Sequence, residues 1–239
     1  MDRITRRELK QDELRTTFEH YEHYLKEHYR EILGVTGILV VVVGLVVGLR
    51  LYAERRDAEA NAELGIALKT FRAYVGMPAP GTFDQGTEMF PVASEKYKKA
   101  LGEFSDVARK FPRTKAAEIA RYHMGICQSQ LGNKADALKT LEEAGKASDM
   151  EIATLAQFAL AGELVGSGKP QEAGRIYQHL ADHPTSTVPQ ATALLALADT
   201  YRTSQPAQAR QIYQRLEKDF AGNSTLAQTL KQQLDSLPK

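Results

Sequence analysis

Few side chains in this chain stand at spacings that could do chemistry. His123 and Cys127 are four residues apart, so a helix would put them on one face as a base and a nucleophile. No third group stands near to orient the histidine, and a small buried thiol is the expectation for Cys127. His179 and His183 share the same spacing beside Asp182, and His20, His23 and His28 cluster with Glu19, Glu22 and Glu27. Such pairs could ligate a metal, but neither brings a complete donor set. Gly166-Ser-Gly168-Lys169 resembles the end of a phosphate loop. That loop needs glycine where Glu163 stands, and serine or threonine where Pro170 stands. It reads instead as a turn between two helices. No GxSxG, HExxH or CxxC is present. The expectation is a non-enzymatic protein with no catalytic residue, metal or cofactor.

The elements that would position these groups hang from one stretch, Ile32–Leu49. It carries no charge and one polar side chain, Thr36. Eighteen residues at about 1.5 Å each nearly cross a hydrocarbon core of about 30 Å. Tyr24, Tyr29 and Tyr52 flank the run, and Arg50 can snorkel from its end. No small-x-small site and no cysteine follows it, so an uncleaved anchor over 32–52 is expected. Gly37, Gly44 and Gly48 lie on one face and would admit close approach of another helix.

Residues 1–31 carry seven basic and eight acidic residues, and residues 53–239 carry 23 and 22. Neither balance fits a nucleic-acid module. The single cysteine cannot close an internal disulfide. In the tail, Phe18, Tyr21, Leu25, Tyr29 and Ile32 form an apolar helical stripe. Cations near the run almost balance: Arg15, Lys26 and Arg30 before it, Arg50, Arg55, Arg56 and Lys69 after. Arg3, Arg6, Arg7 and Lys10 tip the tail inward, so a cytoplasmic tail over 1–31 is expected, with the large domain outside.

Beyond the anchor the chain is periodic. Ala100, Ala137, Ala173 and Ala209 recur at 36 or 37 residues, and Phe104, Leu141, Tyr177 and Tyr213 each follow four later. Gly132, Gly168 and Ser204 mark turns 36 apart. This period predicts helix pairs stacked as a solenoid. Helices are expected over 53–75, 92–111, 114–131, 134–147, 150–167, 170–182, 188–203, 206–219 and 223–236. The units resemble tetratricopeptide repeats. Met124-Gly125 stands at that family's Leu-Gly, Ala161 and Leu197 replace its glycine, and Asp149 replaces its usual proline. The fold class is therefore all-α: one N-terminal transmembrane helix, then a tetratricopeptide-like domain over 53–239.

Residues 76–91, rich in Gly and Pro, interrupt the pattern as a loop insertion. Phe83, Met89 and Phe90 within it are candidate partner contacts. Repeat spacing places Tyr122, Ile126, Phe158, Leu194 and Tyr201 toward the groove formed by the first helix of each pair. These residues are mainly apolar, so an extended or helical apolar segment fits better than an acidic tail. The alternative is that they are buried between helices.

The whole layout resembles the ancillary SecYEG translocon subunit family. The resemblance rests on Met1-Asp-Arg-Ile-Thr-Arg-Arg-Glu-Leu-Lys10, the anchor, and Lys110-Phe-Pro-Arg-Thr114 leading into Ala116–Gly132. It implies an adaptor in the bacterial inner membrane with a periplasmic domain. Its implied partners are Sec translocon subunits, periplasmic chaperones and exported clients. A fixed structural subunit of another membrane complex (respiratory, photosynthetic or envelope-assembly) is the alternative.

Overall fold

Alanine-rich stretches with turn residues every 15 or so positions leave the chain little choice but helix. The computed structural model describes residues 6–76, 88–219 and 224–237, with side-chain surroundings described from residue 29 apart from 32 and 224–226. The expected all-α class is observed. Helix α1 spans Arg6–Arg72 and is followed by α2 (Ala93–Lys110), α3 (Lys115–Gln130), α4 (Lys134–Ala144) and α5 (Met150–Gly166). Then come α6 (Pro170–Asp182), α7 (Gln190–Tyr201), α8 (Pro206–Asp219) and α9 (Ser224–Asp235). The chain divides into two units, Met1–Arg55 and Arg56–Lys239.

In the first unit, one stretch is long and apolar enough to cross a membrane. Its aliphatic residues from Leu33 to Leu49 are all exposed, and a Cβ added at Gly37, Gly44 or Gly48 would meet nothing. The histidines and apolar stripe of the tail before residue 29 lie outside the described side chains.

In the second unit, the periodic residues form the core. Ala100, Ala137, Ala173 and Ala209 are each fully buried, as are Phe104, Leu141 and Tyr213. Small residues let the helices of a pair cross closely. A Cβ on Gly125 would stand 2.6 Å from Leu141 Cγ, so glycine is required where α3 meets α4. One apolar cluster joins Ala60, Leu64 and Ala67 of α1 to α2 and α3, and another joins α5 through α9. Lys110 ties this part of α1 to α2 through Glu63 at 2.9 Å.

Local signals place the helix ends. Thr114 Oγ1 caps α3 by accepting from the Ala117 N–H at 3.2 Å. Asp149, where the repeat family usually has proline, caps α5 by accepting from Glu151 N–H at 3.0 Å and Ile152 N–H at 3.3 Å. Its other oxygen takes Lys115 at 2.6 Å. Gly132 and Gly168 hold φ near +79° and +77°, closing α3 and α5 with left-handed turns. The Gly168 turn is the sequence that resembled a phosphate loop; there the Lys169 N–H donates to Leu164 O at 2.9 Å.

One tie between successive helix pairs of the second unit was not legible from the period. Glu151, in the first turn of α5, accepts from the Thr187 N–H at 2.9 Å and the Thr187 hydroxyl at 2.7 Å, in the connection before α7. Glu118 holds the connection before α5 in the same way, through Ser148 and Asp149. The hydrogen bonds from Thr187 draw the Glu151 carboxyl down to about 2. A depressed carboxyl stabilises the fold fully above its unfolded value near 4.5, and that contribution disappears as pH falls toward about 2. The protection factor of the Thr187 amide, with the intrinsic exchange rate divided out, should therefore fall over that window. Glu151→Gln should remove the pH dependence; parallel curves for the two proteins would show that Glu151 is not the responsible group.

At residues 76–91, only the ends are described. Tyr74–Val75 (β1) and Met89–Phe90 (β2) pair in parallel, Tyr74 with Met89 and Val75 with Phe90. The Lys96 ammonium donates to Ala73 O at 3.3 Å, and Lys99 pairs with Glu88. These contacts anchor both ends of the insertion on α2.

Candidate protein-binding surface

The first helices of three successive pairs are α3, α5 and α7, and they carry the five residues expected at a groove. Tyr122 and Ile126 on α3 are half-buried. The Tyr122 ring meets His123 edge-on at 5.0 Å, and burial raises its hydroxyl above the ordinary tyrosine value. Phe158 on α5 is also half-buried and packs edge-to-face on Tyr177 of α6 at 5.2 Å. One expectation needs correction. Leu194 is 2% exposed and sits in the core of α5–α9, so it lines no open surface. Tyr201 turns back onto α6: a Cβ on Gly174 would lie 2.1 Å from its hydroxyl, so the missing side chain of Gly174 is the seat of this ring. Leu194 packs between helices, the physical alternative to a groove, while Tyr201 is half-buried against α6.

Of the insertion's three candidates, Phe83 lies outside the described residues. Met89 is 44% exposed, and Phe90 is half-buried with the Lys99 ammonium 5.7 Å from its ring centre. Tyr74, Val75 and Val92 are exposed around the same pair of strands.

His123 and Cys127 do not form a reactive pair. The imidazole stacks on Phe104 at 5.0 Å and meets Phe71 edge-on at 4.9 Å. Burial, aided by the Arg72 charge, pulls its pKa down to about 4. Cys127 is fully buried, and burial pushes its thiol up to about 12. A half-buried, weakly basic imidazole and a buried, protonated thiol supply no activated nucleophile at neutral pH. The rings of His179 and His183 stand 4.5 Å apart, and His183 Nδ1 lies 3.0 Å from His179 O. Among the described residues no group of three or more His, Cys, Asp or Glu side chains could hold a metal.

A concavity that repeat spacing did not indicate lies on the second helices. Between α4 and α6, above α5, is an open cleft of about 340 Å³. Leu160, Ile176, Gly145 and the stem of Gln157 form its floor. Gln157 Nε2 donates to Gly145 O at 3.2 Å, fixing the end of α4 on α5. The available sequence signal was a departure from the repeat. One unit before Gly145, at the 37-residue step from Ala100 to Ala137, Ala108 stands in its place, and thirty-six residues after it stands Ala181, which is buried.

The tetratricopeptide repeat family matches residues 120–147 and 192–223. The first match covers most of α3 and α4, and the second covers α7 and α8. No curated protein and no solved structure matches the chain. With α5 and α6 forming the same kind of pair between the matched stretches, the chain is a tetratricopeptide-like helical-repeat protein.

Proposed function

We propose that this chain is a non-enzymatic, membrane-anchored adaptor that binds other proteins. The observation that carries the reading is one fully exposed apolar helix segment on the same chain as a tetratricopeptide-like domain. Such an apolar segment belongs in lipid. In this reading residues 1–31 are a cytoplasmic tail, 32–52 span the bacterial inner membrane, and 53–239 face the periplasm. The partners are Sec translocon subunits, periplasmic chaperones or exported clients, in envelope protein export or folding. Gly37, Gly44 and Gly48 are open to a second membrane helix. Tyr122, Ile126 and Phe158, with Met89 and Phe90 at the insertion, are the contact residues.

A fixed-subunit reading draws on Tyr74, Val75, Met89 and Val92, which are exposed together as permanent interfaces often are before assembly. One experiment separates the two. A photoreactive residue is placed at Tyr122 and, separately, at Met89, in the full chain in its native membrane. Adducts to translocon subunits, chaperones or many unfinished envelope proteins are expected. A single membrane protein captured at Met89 and co-purifying in fixed ratio would replace the adaptor with a structural subunit.

A further inference from the structure

The cleft between α4 and α6 has a charged rim over its apolar floor. Lys146, Arg175 and His179 stand against one acid, Glu142. Glu142 is already engaged by Lys146 at 3.5 Å. Arg175 is exposed, and among the described residues it makes no hydrogen bond or ion pair. An arginine left free beside an apolar hollow is suited to a carboxylate, which its planar guanidinium can meet with two donors. The neighbouring junctions do not repeat the set. In the preceding unit, where the step from α2 to α4 is 37, Ala108 stands for Gly145, Thr140 for Ile176 and Glu143 for His179, while Arg109 and Lys139 stand for Lys146 and Arg175. Thirty-six residues later, Ala181 stands for Gly145, Asp182 for Lys146 and Ala193 for Gln157, and both alanines are buried. The combination of a glycine at the end of α4 with Ile176 and His179 on α6 is therefore not repeated at the neighbouring junctions.

We infer that this cleft docks a short acidic and apolar segment of a partner polypeptide, with one large apolar side chain on Leu160 and Ile176 and a neighbouring carboxylate on Arg175. The opening has room for one such side chain with a short piece of backbone, and the charge balance selects an anion. This inference rests on the protein-binding reading above and gives it a second place, away from the first-helix residues Tyr122 and Phe158.

The test uses the full chain in nanodiscs and a fluorescein-labelled twelve-residue peptide, Gly/Ser throughout except for a central leucine followed by two aspartates. Empty nanodiscs serve as blank. Saturable binding by anisotropy is expected, weakened when asparagine replaces the aspartates or serine the leucine. Arg175→Glu should weaken binding about five-fold, because an exposed attraction becomes a repulsion. Gly145→Arg should abolish it by filling the hollow. Tyr122→Ala should leave binding unchanged. Thermal melting of each variant checks that the domain remains folded. Binding that survives Arg175→Glu and Gly145→Arg would overturn the inference, as would no saturation up to millimolar peptide. Equal displacement by decanoate would overturn the peptide in favour of a small amphiphilic anion. Loss on Tyr122→Ala alone would move the site to the first helices and leave the adaptor standing. The adaptor reading itself fails only through the crosslinking experiment.

Discussion

Phe104→Ala is expected to lower the unfolding free energy of the repeat domain by about 3–5 kcal/mol. Phe104 is fully buried and joins three helices. It stacks on His123 of α3 at 5.0 Å and meets Phe71 of α1 edge-on at 6.1 Å. Truncation removes the ring's transfer free energy and leaves a hole that rigid helix pairs close poorly. Domains of this size are stable by about 5–15 kcal/mol, so the loss is a large fraction of the whole. In a repeat array the damage should stay local. Amide protection should fall in α2 and α3 while α7 and α8, in the other apolar cluster, retain theirs. Water reaching the imidazole should also let the His123 pKa rise from about 4 toward 6.5. Denaturant unfolding with a histidine titration by NMR checks both. A loss below about 1 kcal/mol would mean that α1, α2 and α3 do not share this core.

The second large effect concerns the apolar segment. Val41→Arg with Val42→Arg should move the protein from the carbonate-resistant membrane fraction to the soluble one. Each arginine at a helix centre disfavours insertion by about 2.5–3.5 kcal/mol, so the pair amounts to about 5–7. The eleven Ile, Leu and Val residues of Ile32–Leu49 that remain favour it by about 0.3–0.6 kcal/mol each near the centre, or about 3–7 together. The two sums are comparable, so insertion should fail. The melting curve of the repeat domain should stay unchanged, because its core uses none of these residues. A doubly substituted chain that still resists carbonate extraction would show that something other than this segment holds it in the membrane.

Much of the domain was legible as pattern. The alanine series at Ala100, Ala137, Ala173 and Ala209 predicted buried crossing points, and each is buried. The predicted helices lie within a few residues of those observed from α2 to α9. The same arithmetic misplaced Leu194 and did not foresee the seat of Tyr201. A 36-residue step carries register along the stack, but it does not say what the neighbouring helix presents. Opposite Tyr201 that helix presents Gly174, and the ring fills the space the glycine leaves. The same blindness hid the cleft, whose lining comes from three helices.

What the sequence determined by itself was local and periodic. The turns at Gly132 and Gly168, the caps at Thr114 and Asp149, and the prolines at helix starts act within a few residues of themselves. The uncharged length of Ile32–Leu49 likewise needs no partner to be recognised. Only the tertiary structure decided that His123 is enclosed by aromatic rings, that Glu151 holds Thr187, and that Arg175 stands unpaired beside an apolar hollow. Each of those outcomes depends on side chains brought together from separate helices. Burial and charge are set by such neighbours, and their identities do not follow from the spacing of any one helix.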